Sequence, residues 1–156
     1  MNEEKAYLTQ EKHTELTAEL ETLITVRRPE IAKQLEYARS LGDLSENAEY
    51  QQARQAQGEI ESRIKYLARI LKSAEIVKLH HGTTVSVGST VTVRRKGEDD
   101  DRTYSIVGSE EADTTLGRIS LNSPLGESMM GKSKGDTFTF VAPNGKKIEY
   151  TILKIG

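Results

Sequence analysis

Apolar residues recur at three- and four-residue spacing on both sides of one polar break, and the pattern ends near residue 78. Leu16, Leu20, Leu23, Ile31, Leu35 and Ala38 precede the break; Tyr50, Ala53, Ala56, Ile60, Ile64, Leu67, Leu71 and Ala74 follow it. The alternation of threes and fours is the seam of a coiled coil. The break itself, Gly42-Asp43-Leu44-Ser45-Glu46-Asn47-Ala48-Glu49-Tyr50, is the tip of a helical hairpin. Each arm has about 30 residues and is therefore roughly 45 Å long at 1.5 Å per residue. Matched arms joined by a short turn fold back as an antiparallel pair. A rod this narrow buries only a thin stripe, so its length is read as reach rather than core-building. Thr9 is placed to cap the first helix, with Glu11 in its first turn. Pro29 lies inside that helix, removes a backbone donor, and is expected to bend the rod or break it locally.

From residue 78 the period becomes two. Thr90–Arg94, Thr103–Val107, Thr137–Val141 and Ile148–Leu153 alternate as strands do. Asn144-Gly145 signals a tight hairpin between the last two. Ser123-Pro124 and Gly131 bracket a short helix, with Ser as the cap, Pro at the first helical position and Gly past the end. The expected architecture is α+β: an antiparallel coiled-coil hairpin over residues 1–77 with its tip at 42–50, then a small antiparallel β-sheet domain with one short helix over 78–156. His80 to Thr84 is the expected joint.

With 22 Lys and Arg against 24 Asp and Glu, the formal net charge is −2. That argues against broad, sequence-independent attraction to nucleic acid. No run approaches the roughly 18 apolar residues of a membrane span, and the N-terminus lacks the order of a signal peptide. The absence of Cys excludes thiolate chemistry and fits a cytoplasmic setting. With no Trp and two Phe, an aromatic-lined ligand pocket is hard to build.

The residues able to do chemistry gather at the tip. Asp43 and Glu46 stand at the spacing of a capping box, and spacing alone favours that role. They are also hard oxygen ligands suited to Mg²⁺, and the two roles can coexist. Two carboxylates on a convex tip hold Mg²⁺ poorly alone, because the ion wants six ligands and parts reluctantly with water. If they bind metal, another molecule must complete the site. Arg39 and Arg54 lie on the two arms near the tip, where they could meet phosphates, or pair with Glu36 or Glu49 as ordinary surface charge. Ser45 has neither a His nearby in sequence nor a G-x-S-x-G setting, so it does not read as a nucleophile. Glu98-Asp99-Asp100-Asp101 lacks EF-hand spacing and reads as a solvated hairpin loop. His13, His80 and His81 have no partners at metal spacing.

The chain resembles the bacterial Gre-type transcript cleavage factors, most closely the GreA-like branch. The match is carried by Leu8-Thr9, Arg28-Pro29-Glu30-Ile31, Ala38-Arg39, the run Gly42 to Tyr50, and Ile60 to Ile64. It continues through Tyr104 to Gly108, Glu111-Ala112-Asp113, Ser123-Pro124-Leu125-Gly126, Gly131-Lys132 and Gly135-Asp136. Lys12 stands where the family usually has Gly, and the Lys96 to Arg102 loop is unusually acidic. The resemblance implies an FK506-binding-protein-like (FKBP-like) fold for the second domain, which would dock on RNA polymerase at the rim of its secondary channel while the coiled coil enters. It implies that Asp43 and Glu46 help hold the polymerase's second Mg²⁺, with no cofactor intrinsic to the chain. Ser45 would help position the attacking water or the RNA, and Arg39 and Arg54 would lie near the extruded RNA 3′ end. The implied role is stimulation of the polymerase's own cleavage of backtracked RNA by a monomeric, non-enzymatic factor. Two other classes stand beside it: an inhibitory channel-binding paralogue, which the intact tip argues against, and a peptidyl-prolyl isomerase, which the missing aromatic lining argues against.

Overall fold

The computed structural model describes residues 5–44, 46–78 and 82–156. These form two compact units, one spanning Glu11–Ala74 and the other combining Lys5–Gln10 with Glu75–Gly156.

In the first unit α1 (Gln10–Thr22) runs through a π-helical turn (Leu23–Arg27) into α2 (Arg28–Ser40), and α3 (Ala48–Lys72) returns. Contacts between the arms span 44 residues at Glu19–Arg63, 33 at Arg28–Glu61 and 9 at Ala38–Asn47, the shrinking separation of an antiparallel hairpin. Ile31, Ile60 and Ile64 form the buried stripe, with Leu20, Leu23, Leu35 and Ala56 packed against it. Nearer the tip the buried residues are Ala38 and Ala53, whose small side chains suit close approach of the helices. The backbone does not break at Pro29. Arg27 and Arg28 both keep right-handed helical angles, and the irregularity sits just before, where Arg28 N–H donates to Leu23 O. That bond spans five residues instead of four. The shifted register accommodates the missing donor at Pro29 within a continuous helix.

The second unit is built on a five-stranded sheet in the order β5-β4-β3-β7-β6: β3 (Thr90–Arg95), β4 (Asp101–Val107), β5 (Arg118–Ser120), β6 (Thr137–Val141) and β7 (Lys147–Ile155). Along β3, Val91 and Val93 point into the core while Thr90 and Thr92 are half-exposed. Phe138 and Tyr150 sit directly opposite on β6 and β7 and stack with ring centroids 5.4 Å apart. The Asn144-Gly145 turn forms as expected, with Gly145 N–H donating to Ala142 O at 2.8 Å and Gly145 at φ 83°. The short helix α4 (Pro124–Met129) is also present, and Ser123 Oγ accepts from Gly126 N–H at 3.1 Å. One correction concerns strand direction. β5 pairs with β4 in parallel, so the sheet is not wholly antiparallel. The chain returns to the same end of β4 through two 3₁₀ turns, Ser109–Glu111 and Thr114–Leu116, instead of a hairpin. This sheet with its single short α-helix agrees with the FKBP-like expectation.

The N-terminal segment belongs to this second unit and not to the rod. β1 (Ala6–Leu8) and β2 (Ala74–Ile76) make a two-stranded sheet, and Val77 N–H donates to Leu8 O at 2.8 Å. Gly108 lets Tyr7 approach so closely that an added Cβ would lie 1.9 Å from the Tyr7 carbonyl oxygen. Glu111 accepts twice from Thr9, from its N–H at 3.0 Å and its hydroxyl at 2.6 Å.

Candidate functional site

The hairpin tip occupies the residues between α2 and α3. Gly42, with φ 90°, turns the chain after α2, and its N–H donates to Arg39 O at 3.2 Å. A positive φ there favours Gly, and nothing within 4 Å would meet a Cβ, so backbone conformation and not space explains the glycine.

The cap of α3 is Asn47. Its side-chain oxygen accepts from Tyr50 N–H at 3.0 Å, so α3 is not capped by the box expected of Asp43 and Glu46. Both pairs have the same three-residue spacing, and the helix starts at the later one. The same Asn47 side chain donates to Ala38 O at 2.7 Å and Gly42 O at 3.3 Å, and Gln51 Nε2 donates to Leu44 O at 3.1 Å. These two amides were not singled out from the sequence. The signal was available, since Asn is among the preferred capping residues.

Asp43 and Glu46 are both exposed, and with Glu49 they line one shallow depression floored by Leu41, Gly42, Asn47 and Ala48. The structure thus brings together the two carboxylates singled out from the sequence. Among the described residues no group of three or more His, Asp or Glu side chains could hold a metal ion. Two exposed carboxylates are hard oxygen donors, fewer than the six ligands that Mg²⁺ takes. Ser45 lies outside the described residues, as do His80 and His81.

Arg39 and Arg54 are exposed on α2 and α3. Arg54 reaches the Gln57 side chain at 3.4 Å rather than Glu49. The acidic loop after β3 is a solvated hairpin connection in which two carboxylates are matched locally: Arg94 with Asp101 at 2.8 Å, and Glu98 with Arg102 at 3.4 Å and Arg95 at 3.5 Å. On the second unit Ile119 and Met129 are buried, and Leu121, Leu125 and Met130 pack against the core. They hold the fold together.

Two fork-shaped ion pairs join the arms on either side of the π turn. Arg28 meets both carboxylate oxygens of Glu61 at 2.8 and 2.9 Å, and Arg63 meets those of Glu19 at 2.8 and 3.0 Å. The Arg28 hydrogen bonds hold the Glu61 carboxyl below the usual range, and those of Arg63 do the same for Glu19. Bidentate geometry fixes orientation as well as distance, which registers one arm against the other.

Comparison with known proteins covers the whole architecture. A family model described as "Transcription elongation factor, N-terminal" matches residues 6–76, and one described as "Transcription elongation factor, GreA/GreB, C-term" matches residues 80–156. The transcription elongation factor GreA of Leuconostoc mesenteroides is 43% identical over 158 residues, covering 99% of each chain. That of Chloroflexus aggregans is 43% identical over 157 residues, again covering 99% of each. Among solved structures, GreA factor homolog 1 (Gfh1) of Thermus thermophilus aligns over 98% of this chain and 99% of its own, at 27% identity and a TM-score of 0.45. Hairpin, acidic tip and sheet unit all fall within matches that run nearly end to end, and the chain belongs to the GreA/GreB family of transcription elongation factors.

Proposed function

We propose that this chain binds bacterial RNA polymerase through its secondary channel and stimulates the polymerase's Mg²⁺-dependent cleavage of backtracked RNA, without nuclease activity of its own. The observation that carries this reading is the division of labour at the tip. Asn47 caps α3, and Asp43 and Glu46 present exposed carboxylates on one depression beside that cap. Family membership supplies the transcriptional setting.

A Mg²⁺ ion held jointly with the polymerase would supply an activated water and stabilise the leaving oxygen. Asp43 and Glu46 contribute ligands and orientation at once, because they arrive on a helical rod registered by two bidentate pairs. Arg39 and Arg54 stand behind the acids on the two arms and meet the phosphates of the RNA 3′ segment. Ser45 positions the water or the RNA. The sheet unit docks on the polymerase outside the channel, and the factor acts as a monomer in the cytoplasm.

Cleavage of RNA in backtracked elongation complexes tests the proposal. Asp43→Ala and Glu46→Ala are expected to abolish stimulation while leaving binding to the polymerase nearly intact. Undiminished cleavage with the double variant contradicts the proposal.

A further inference from the structure

We propose that the side-chain amides of Asn47 and Gln51 are positioning residues that fix the backbone on both sides of Asp43 and so aim the tip carboxylates; this rests on the function proposed above. A helix cap needs only an acceptor, which Asn47 provides to Tyr50 N–H at 3.0 Å. Its amide nitrogen does something more. It donates to Ala38 O, in the last turn of α2, at 2.7 Å and to Gly42 O at 3.3 Å. Gln51, one turn into α3, takes no part in capping, yet its amide nitrogen donates to Leu44 O at 3.1 Å.

Gly42 and Leu44 are the two residues that flank Asp43. Their carbonyls are therefore both held by amides projecting from the start of α3, while the same Asn47 ties in the end of α2. The acidic tip is clasped to both arms by neutral donors, which place no positive charge beside the carboxylates. Such support matters because ligands that must meet a partner's metal lose rate steeply with small misplacement. Neutral amides suit the task better than Lys or Arg, whose charge would compete with a metal for the same carboxylates.

The test uses Asn47→Asp and Gln51→Glu in the full chain. Each is close to isosteric and loses its donor, and Asn47→Asp keeps the cap acceptor. Asn47→Ser, which also keeps an acceptor, controls for added charge. In the free protein, amide hydrogen exchange at Tyr50 should stay protected in the Asn47 variants, while Leu41 and Gly42 exchange roughly tenfold faster. In backtracked complexes, cleavage should fall roughly ten- to a hundredfold at low Mg²⁺ and recover in part as Mg²⁺ is raised, with polymerase binding unchanged. Unchanged exchange at Leu41 and Gly42, or faster exchange with cleavage unaltered at every Mg²⁺ concentration, overturns the positioning role. The Asp43→Ala, Glu46→Ala double variant separates the two failures. If it retains cleavage, the proposed function has failed; if it loses cleavage while the amide variants do not, only the positioning role has failed.

Discussion

The rod and the sheet unit solve stability in opposite ways. The sheet unit closes around a cluster of buried side chains that includes Val91, Val93, Ile106, Met129, Phe138 and Ile152. The rod buries a narrow stripe instead, in which Ile31, Ile60 and Ile64 form one cluster and Leu16, Ala38, Ala53, Leu67 and Ile70 are also buried, and it gains register from exposed cross-arm ion pairs and from helix periodicity. Its most polar segment is the tip, where the carboxylates contribute to neither core. The contrast teaches that a narrow helical stripe and a closed sheet core reach stability by different means.

The contrast can be broken first at the sheet core. Ile152→Ala removes a fully buried side chain and should cost about 2–5 kcal/mol. Ile31→Ala in the thin stripe should fall at the lower end of that range, since the helices can partly close the gap. Thermal melts followed separately by helix and near-ultraviolet signals compare the two. Equal losses would mean that the rod depends on its core as much as the sheet does.

A smaller effect is expected at the N-terminal strand. Gly108→Ala places a Cβ against the Tyr7 carbonyl, so β1 must move away and the Thr9–Glu111 hydrogen bonds should be lost with it. Faster amide exchange at Val77, which donates to Leu8 O, would report the displacement. The strands β3 and β7 should remain protected.

The smallest effect concerns the ion pairs. Glu19 and Glu61 have folded-state carboxyl pKa values lowered by Arg63 and Arg28. Their contribution is therefore fully present above the ordinary Glu range. It is lost as pH falls through the lower folded values. Helix melting measured from pH 6 to pH 3 should show a modest loss concentrated below about pH 4.5. Arg28→Ala with Arg63→Ala should flatten that part of the curve. Both pairs are exposed, so added salt should weaken them as well.

Much of the architecture was legible because it follows short-range rules. The three-four spacing found both arms, alternation found β3, β4, β6 and β7, and Ser123-Pro124 found α4. What escaped depends on choices that spacing does not make. Asp43 to Glu46 and Asn47 to Tyr50 have equal claims to a cap by separation, and only the observed start of α3 at Ala48 decides for Asn47. The π turn is a register shift with no composition of its own. The three residues of β5 are too few to show alternation, and nothing in them announces a parallel partner. The docking of Thr9 on Glu111 joins residues 102 apart, beyond any local pattern. At the site, Asp43 and Glu46 were visible from the sequence, whereas the amides of Asn47 and Gln51 emerged only with the backbone carbonyls they hold.

The central proposal is that the chain lends the Asp43 and Glu46 carboxylates to another molecule's reaction. Asp43→Asn with Glu46→Gln preserves side-chain shape and removes the charge. The decisive measurement is cleavage of RNA in backtracked elongation complexes by this variant, alongside its melting temperature and its competition with wild type for the polymerase. The account predicts no stimulated cleavage, an unchanged melt and effective competition. Wild-type cleavage by the uncharged tip would contradict it.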